Sequence, residues 1–168
     1  MRGRPVTCCF TGHRPNKLPW GNNEEDRRCL ALKKAIADAV EAAYLEGFRH
    51  FICGMAMGCD LYFAEAVLAL RAAGNPLTLE AAIPFPGQAA AWPPDQQSRY
   101  RDILAQCDYE TVVQERYTPY CMIRRNRYMV DHSALVIAAY NGEAGGTRQT
   151  LEYAIRQSVP FVDIRPEA

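Results

Sequence analysis

Three turns that contain glycine carry the residues best suited to bind a phosphorylated ligand. The stretch Tyr140-Asn141-Gly142-Glu143-Ala144-Gly145-Gly146-Thr147 follows an apolar run and precedes a helical pattern, which predicts a strand, a turn and a helix N-terminus. Glycine allows positive φ and close approach of the backbone to a ligand. The first amides of a helix lack intrahelical partners, and the helix dipole favours negative charge there. We therefore predict a phosphate site at Gly145, Gly146 and Thr147, with Asn141 beside it and Thr147 as the helix cap.

The second turn, Thr11-Gly12-His13-Arg14, follows the first predicted strand. Arg14 could clamp a phosphate with paired N–H groups, and His13 could stack on a ligand or donate a hydrogen bond. A solvated surface loop is the alternative interpretation. The position of the turn after a buried strand favours the binding role.

The third turn, Gly54-Met55-Ala56-Met57-Gly58-Cys59-Asp60, follows the second predicted strand. Gly54 and Gly58 are predicted to let a ribose approach the backbone. Asp60 could accept hydrogen bonds from the ribose hydroxyls, although a cap of the next helix is the preferred role for its side chain.

Two further segments are predicted to complete the site. In the basic run Arg124-Arg125-Asn126-Arg127, successive helical residues are rotated by about 100°, so the three cations cannot share one face. Asn126 has both donor and acceptor groups, which suits a base edge or a ribose. A solvated basic face is the alternative. The stretch from Pro84 to Trp92 is predicted to form a rim over the site.

The elements around these turns alternate between strand and helix. Strands are predicted at 6–10, 50–53, 77–83, 109–113, 134–140 and 159–164, and helices are predicted to begin at Asn22 or Asn23, in the turn 54–60, at Pro93, at Thr118-Pro119 and after Thr147. This alternation predicts an α/β fold, with about six mostly parallel strands and helices on both faces of the sheet. In such a sheet the turns after the first, second and fifth strands meet at the C-terminal edge, where ligands bind.

Length and charge limit the classes of function. The 168 residues suit one domain, spanning 1–168. Lys plus Arg and Asp plus Glu each number 19, and the zero net charge argues against nucleic acid as a partner. No apolar run approaches the roughly 20 residues of a membrane span, so we expect a cytoplasmic protein with no membrane partner. A homodimer stays possible.

The cysteines do not indicate a metal or redox site. There are seven, with no Cys-x-x-Cys motif, so neither a disulfide framework nor a zinc site is predicted. We expect them to act as small apolar side chains in the core. No metal and no cofactor is predicted.

Taken together, these residues resemble the YpsA-like family of the SLOG superfamily. The resemblance is carried by Phe10 to Pro15, Gly54 to Asp60, Arg125-Asn126 with Met129, and Gly145 to Thr147, and it spans nearly the whole chain. It implies a Rossmann-like, three-layer α/β/α fold that binds a nucleotide or a nucleotide-derived small molecule. Whether the protein catalyses a reaction is left open.

One related group, the cytokinin-activating phosphoribohydrolases, carries Pro-Gly-Gly-x-Gly-Thr-x-x-Glu after the equivalent strand. Its glutamate takes part in cleaving the N-glycosidic bond of a nucleoside monophosphate. In this sequence that position is Thr150, whose hydroxyl cannot act as a carboxylate acid or base. Glu152 lies at a different helical angle. An N-glycosidase is therefore an alternative function without assigned catalytic residues.

The DNA-processing protein A family is also similar. Its Gly-x-Ala-x-Gly-x-Asp run resembles Gly54 to Asp60, and its Arg-Asn-Arg run resembles Arg125 to Arg127. Those proteins bind single-stranded DNA, which is the second alternative here. Such proteins combine a basic groove with stacking aromatic side chains, and Tyr100, Tyr117 and Tyr120 could either stack bases or fill helix cores.

Overall fold

The computed structural model describes residues 6–168 and contains one sheet of six strands, all parallel. The strands are β1 (Thr7–Gly12), β2 (His50–Cys53), β3 (Thr78–Ile83), β4 (Tyr109–Val112), β5 (Leu135–Ala139) and β6 (Phe161–Ile164). The predicted α/β fold with about six mostly parallel strands is confirmed. Residues 1–5 of the predicted domain 1–168 lie outside the described residues.

Five helices cover the two faces of the sheet. They are α1 (Arg27–Leu45), α2 (Cys59–Ala72), α3 (Pro94–Gln106), α4 (Cys121–Asp131) and α5 (Gly146–Arg156), and a short 3-10 turn spans Pro15–Lys17. Side chains of β1 alternate between two apolar layers: Cys8 and Phe10 pack with α1, α2 and α3, whereas Cys9 packs with α4 and α5. Across residues 6–168, no helix is both long and apolar enough to cross a bilayer.

The order of the strands brings the predicted turns together. The sheet order is β4-β3-β2-β1-β5-β6, so the chain moves outward from β1 to β4 and then returns to place β5 on the other side of β1. The strand order therefore reverses between β1 and β5, and a ligand crevice is expected outside their carboxyl ends. The turns after β2, β1 and β5 are neighbours at this edge, as the sequence predicted.

Two helices begin later than the sequence predicts. Asp26, and not Asn22-Asn23, caps α1, because the preceding residues form turns and the Asp26 carboxylate accepts the Arg28 amide at 2.8 Å. The prediction of a helix start at Thr118-Pro119 is also wrong. Those residues form a turn in which the Thr118 carbonyl accepts the Cys121 amide at 3.2 Å, and α4 begins only at Cys121.

A buried carboxylate joins β2, β3, β4 and α4. Glu80 accepts hydrogen bonds from His50 Nε2 at 2.7 Å, from the Thr111 hydroxyl at 2.8 Å and from the Tyr128 hydroxyl at 2.5 Å. Burial disfavours the charged form of Glu80, but the hydrogen bonds from these three partners outweigh that effect and lower the carboxyl pKa from its ordinary value. The ionised carboxylate therefore stabilises the sheet and its contact with α4.

We expect Glu80→Ala to lower the free energy of unfolding by about 2–4 kcal/mol, because it removes a buried acceptor shared by three donors. Urea denaturation followed by circular dichroism measures this change. The exposed Glu41 on α1 provides the control, and Glu41→Ala should alter stability by less than about 0.5 kcal/mol. Equal effects of the two substitutions would contradict the role of Glu80.

The same carboxylate predicts a pH dependence of stability. The pKa of Glu80 is lower in the folded state than its ordinary value, so its contribution is present above about pH 4.3 and is lost as the pH falls through the folded-state pKa. The difference in unfolding free energy between the wild type and Glu80→Gln should therefore shrink below about pH 4. A difference that stays constant between neutral and acidic pH would contradict this account.

Candidate functional site

The carboxyl ends of β1 and β5 open into a cavity of about 230 Å³, which we call the β1–β5 cavity. The predicted site residues that line it are Thr11, Gly12, His13, Arg14, Asp60, Arg125, Asn126, Gly145, Gly146 and Thr147. The structure thus brings together residues from all three turns and from α4, which are far apart in the sequence.

The first turn of α5 presents free amides to this cavity. Gly145 occupies the cap position with φ 152°, and the first amide of the helix to find a backbone acceptor is that of Gln149, at 3.0 Å from the Gly145 oxygen. Within residues 6–168, the amides of Gly146, Thr147 and Arg148 have no acceptor. A Cβ added at Gly146 would meet nothing within 4 Å. The amides at this helix end are therefore unpaired, and the space beside Gly146 is open. This arrangement suits an anion.

Two threonine hydroxyls connect α5 to β1. The Thr11 hydroxyl donates to the Thr147 hydroxyl at 3.2 Å, and both side chains are buried. The prediction that Thr147 caps α5 is wrong, because Gly145 holds the cap position and Thr147 lies within the first helical turn. The hydroxyl of Thr147 therefore lies at the wall of the cavity and fixes the helix end against the sheet.

The part of α5 that follows offers no carboxylate to the β1–β5 cavity. The Thr150 hydroxyl donates to the Gly146 oxygen at 2.8 Å, so it is used within the helix. Glu152 is exposed, lies 3.5 Å from Arg148 and lines a different cavity. The hydrolytic glutamate of the phosphoribohydrolases thus has no counterpart on the face of α5 that meets the β1–β5 cavity.

Hydrogen bonds join the loop after β1 to the loop after β5. The His13 amide donates to the Ala139 oxygen at 3.0 Å, and His13 Nε2 lies 3.1 Å from the amide nitrogen of Asn141. Lys17 Nζ donates to the Ala144 oxygen at 2.8 Å. His13 and Asn141, which the sequence predicts as ligand contacts, therefore hold the two loops in register, and only His13 also lines the cavity.

In the turn after β2, the absence of side chains at the two glycines lets other atoms of the protein pack closely against the backbone. At Gly58, where φ is 88°, a Cβ would lie 2.9 Å from the His13 oxygen, and that oxygen accepts the Cys59 amide at 3.1 Å. At Gly54 a Cβ would lie 2.6 Å from Arg125 Nη1. The predicted site residues that do not line the cavity are Gly54, Met55, Gly58, Pro84 and Asn141.

The cavity wall includes the buried cation Arg125, which is 4% exposed. Its guanidinium donates to the Gly54 oxygen, to the Ala82 oxygen at 3.3 Å and to the side-chain oxygen of Asn126 at 2.8 Å. Burial lowers the pKa of Arg125, and the nearby charge of Asp60 opposes that shift. These contacts join α4 to the ends of β2 and β3.

Asp60 is the buried anion of the site. Its carboxylate accepts the Ala56 amide at 3.0 Å, while Gly58 occupies the cap position of α2, so the prediction that Asp60 caps this helix is wrong. Burial raises the pKa of Asp60, and the charge of Arg125 opposes that shift. The carboxylate closes the turn after β2 and shields the charge of the buried arginine.

The exposed cation Arg14 and the half-buried cation Lys17 lie at the mouth of the cavity. Arg14 Nη2 lies 3.8 Å from Met122 Sδ, and in the described part of the chain it forms no ion pair. Lys17 lines the cavity beside it. Glu143, also on the wall, contributes the opposite charge. The mouth is therefore weakly positive and can accept an anionic group.

Sequence reasoning missed several residues of the wall, among them Asn16, Lys17, Met122 and Glu143. One signal could have found Met122. Together with Arg125, Asn126 and Met129, it follows the i, i+3, i+4, i+7 spacing of one face of a helix. Lys17 could have been found only through its position in the same loop as Arg14.

Comparison with known proteins identifies the family. The sequence model of YpsA, described as the YspA SLOG family, matches residues 8–160. The chain belongs to this family. The uncharacterized SPbeta prophage-derived protein YoqJ of Bacillus subtilis (strain 168) is 33% identical over 138 residues, which cover 74% of this chain and 81% of that protein. The UPF0398 protein YpsA of the same strain is 27% identical over 140 residues, covering 82% of this chain and 77% of that protein.

Two solved structures share the fold of this SLOG protein. DNA processing protein A from Helicobacter pylori, whose structure is described for its single-stranded DNA binding mode, aligns with a TM-score of 0.65 and 16% identity over 98% of this chain and 67% of that one. DNA processing protein A (DprA) from Streptococcus pneumoniae aligns with a TM-score of 0.63 and 17% identity over 96% of this chain. The chain spans only 50% of the Streptococcus protein. The predicted family and the Rossmann-like fold are confirmed.

The surroundings of Gly54 and Gly146 predict opposite effects on stability when each glycine is replaced by alanine. Gly54→Ala would place a Cβ 2.6 Å from Arg125 Nη1 and 3.0 Å from Asp60 Oδ2, and we expect a loss of about 1–3 kcal/mol in unfolding free energy. Gly146→Ala enters open space in a helix, and it should be neutral or stabilising by up to about 1 kcal/mol. Thermal unfolding of both variants measures the contrast. Equal stability of both variants would contradict the close packing at Gly54.

Proposed function

We propose that the β1–β5 cavity binds a phosphorylated nucleoside or a related nucleotide derivative, with its phosphate on the free amides of α5. The observation that carries this proposal is the difference between two helix ends at the same sheet edge. At α2, the Cys59 amide donates to the His13 oxygen and the Leu61 amide donates to the Gly58 oxygen. At α5, the first three amides have no acceptor within residues 6–168, and a Cβ at Gly146 would enter open space. An anion fits the second helix end and not the first.

The charges around the cavity support an anionic ligand of moderate size. Arg14 is exposed at the mouth without an ion pair among residues 6–168, and it can form paired hydrogen bonds with a phosphate. The cavity volume of about 230 Å³ lies below the roughly 300–1,000 Å³ of pockets that enclose whole ligands. In our proposal it holds the phosphate and the ribose, and the base extends past Asn126 toward the open side.

An N-glycosidase activity is not part of this proposal. The glutamate that the phosphoribohydrolases use corresponds here to Thr150, whose hydroxyl is bound within α5. Of the carboxylates on the cavity wall, Asp60 is buried and interacts with the charge of Arg125, and Glu143 lies in the loop before α5. The family membership and the cavity support a role in binding.

The proposal predicts that Gly146→Leu abolishes nucleotide binding and leaves the fold intact, because the added side chain enters the open space above the α5 amides. Arg14→Gln should weaken binding roughly tenfold, which corresponds to about 1.4 kcal/mol. Isothermal titration with the four common nucleoside 5′-monophosphates measures both effects. Arg101→Gln, an exposed site on α3, is the control and should bind as the wild type does. Unchanged affinity in Gly146→Leu would refute the placement.

Single-stranded DNA is a second candidate ligand, favoured by the fold shared with DNA processing protein A and by two exposed aromatics. Tyr117 and Tyr120 are 63% and 68% exposed, whereas Tyr100, at 7%, belongs to the core. The zero net charge argues against this ligand, so binding would depend on local cations. Two to four phosphate contacts predict a slope of about −1.5 to −3 for log affinity against log salt. A slope near zero for an oligothymidylate would exclude this candidate.

A further inference from the structure

A second cavity, of about 220 Å³, lies between α4 and α5 and shares a wall with the first. We call it the α4–α5 groove, and its polar lining includes Asn126, Arg127, Gln149, Glu152, Tyr153 and Arg156. Asn126 also lines the β1–β5 cavity. A ligand that occupies the first cavity can therefore continue past Asn126 into the groove.

Two arginines of the groove lie against one aromatic ring. The guanidinium carbons of Arg127 and Arg156 are 5.0 Å and 5.6 Å from the centre of the Tyr153 ring. The ring positions both cations and leaves their N–H groups free to bind an anion. Within residues 6–168, neither guanidinium forms a hydrogen bond or an ion pair.

One carboxylate, Glu152, lines the groove, and a second, Asp131, contacts the groove residue Tyr153. Glu152 lies 3.5 Å from Arg148, which lines neither cavity. Asp131 accepts a hydrogen bond from the Tyr153 hydroxyl at 2.6 Å. Two arginines and one glutamate line the groove, so its lining carries a net positive charge even though the whole chain is neutral.

We propose that the α4–α5 groove is a second phosphate subsite, bound by Arg127 and Arg156, for the same ligand whose first phosphate rests on α5. This inference rests on the proposed function of the β1–β5 cavity. The step from Gly146 to Tyr153 along α5 corresponds to about 10 Å. A diphosphate is too short to reach both positions. The ligand therefore carries two phosphates separated by a nucleoside, as in a 5′-phosphorylated dinucleotide or in a segment of single-stranded nucleic acid.

The test compares each nucleoside 5′-monophosphate with its 5′-phosphorylated dinucleotide by isothermal titration. In the wild type, the dinucleotide should bind roughly 10- to 100-fold more tightly, as expected for charge-assisted hydrogen bonds to a second phosphate. In the double variant Arg127→Gln/Arg156→Gln, this gain should disappear while the affinity for the mononucleotide is unchanged. Both arginines are exposed, so the variant should fold normally.

Arg101→Gln is the control, because it removes one charge from an exposed residue on α3 that lines neither cavity. It should keep the full gain from the dinucleotide. If the wild type shows no gain, or the double variant keeps it, the groove is not a phosphate subsite. Failure of every mononucleotide to bind would instead refute the proposed function of the β1–β5 cavity, and this inference with it.

A longer oligonucleotide separates the two sources of the second phosphate. For a single-stranded nucleic acid, a ten-nucleotide oligomer should bind more tightly than the dinucleotide. For a small dinucleotide, the extra length adds no affinity. Both outcomes support the subsite, provided that the double variant loses the gain.

Discussion

The buried guanidinium of Arg125 is the interaction on which the geometry of the site depends. A desolvated charge is costly unless hydrogen bonds and an opposite charge compensate it, and here the Gly54 and Ala82 oxygens and the Asp60 carboxylate do so. The arginine fits only because residue 54 lacks a side chain. In this way one cation joins α4 to the ends of β2 and β3. The same contacts position α4 so that Asn126 lines the cavity.

Two similar glycine turns at one sheet edge have taken different roles. In the turn before α2, the free backbone groups are satisfied by His13 and Asp60, and Gly58 lets the loop after β1 pack closely. In the turn before α5, the amides remain unpaired above a cavity. The first turn thus supports the second, and the unpaired amides lie at the point where the strand order reverses, which is where we propose that an anion binds.

The sequence predicted the parts of this arrangement that depend on local pattern. The bounds of β2 agree with the prediction, and the alternation of strands and helices led to the correct sheet edge. The sequence alone could not show that Arg125 packs against Gly54, because the two residues are 71 positions apart in the chain. The helix starts were misplaced for a related reason, because capping depends on turn geometry and not only on the type of residue, as Thr147 shows.

The most direct test of the central claim is an NMR titration of the backbone amides with the nucleoside 5′-monophosphates. The account predicts that the amide protons of Gly146, Thr147 and Arg148 shift downfield as they bind the phosphate, because they have no acceptor within residues 6–168. The amides of Ala56 and Cys59 already have acceptors, so they should change little. Large shifts at Ala56 and Cys59 with none in the first turn of α5 would contradict the account.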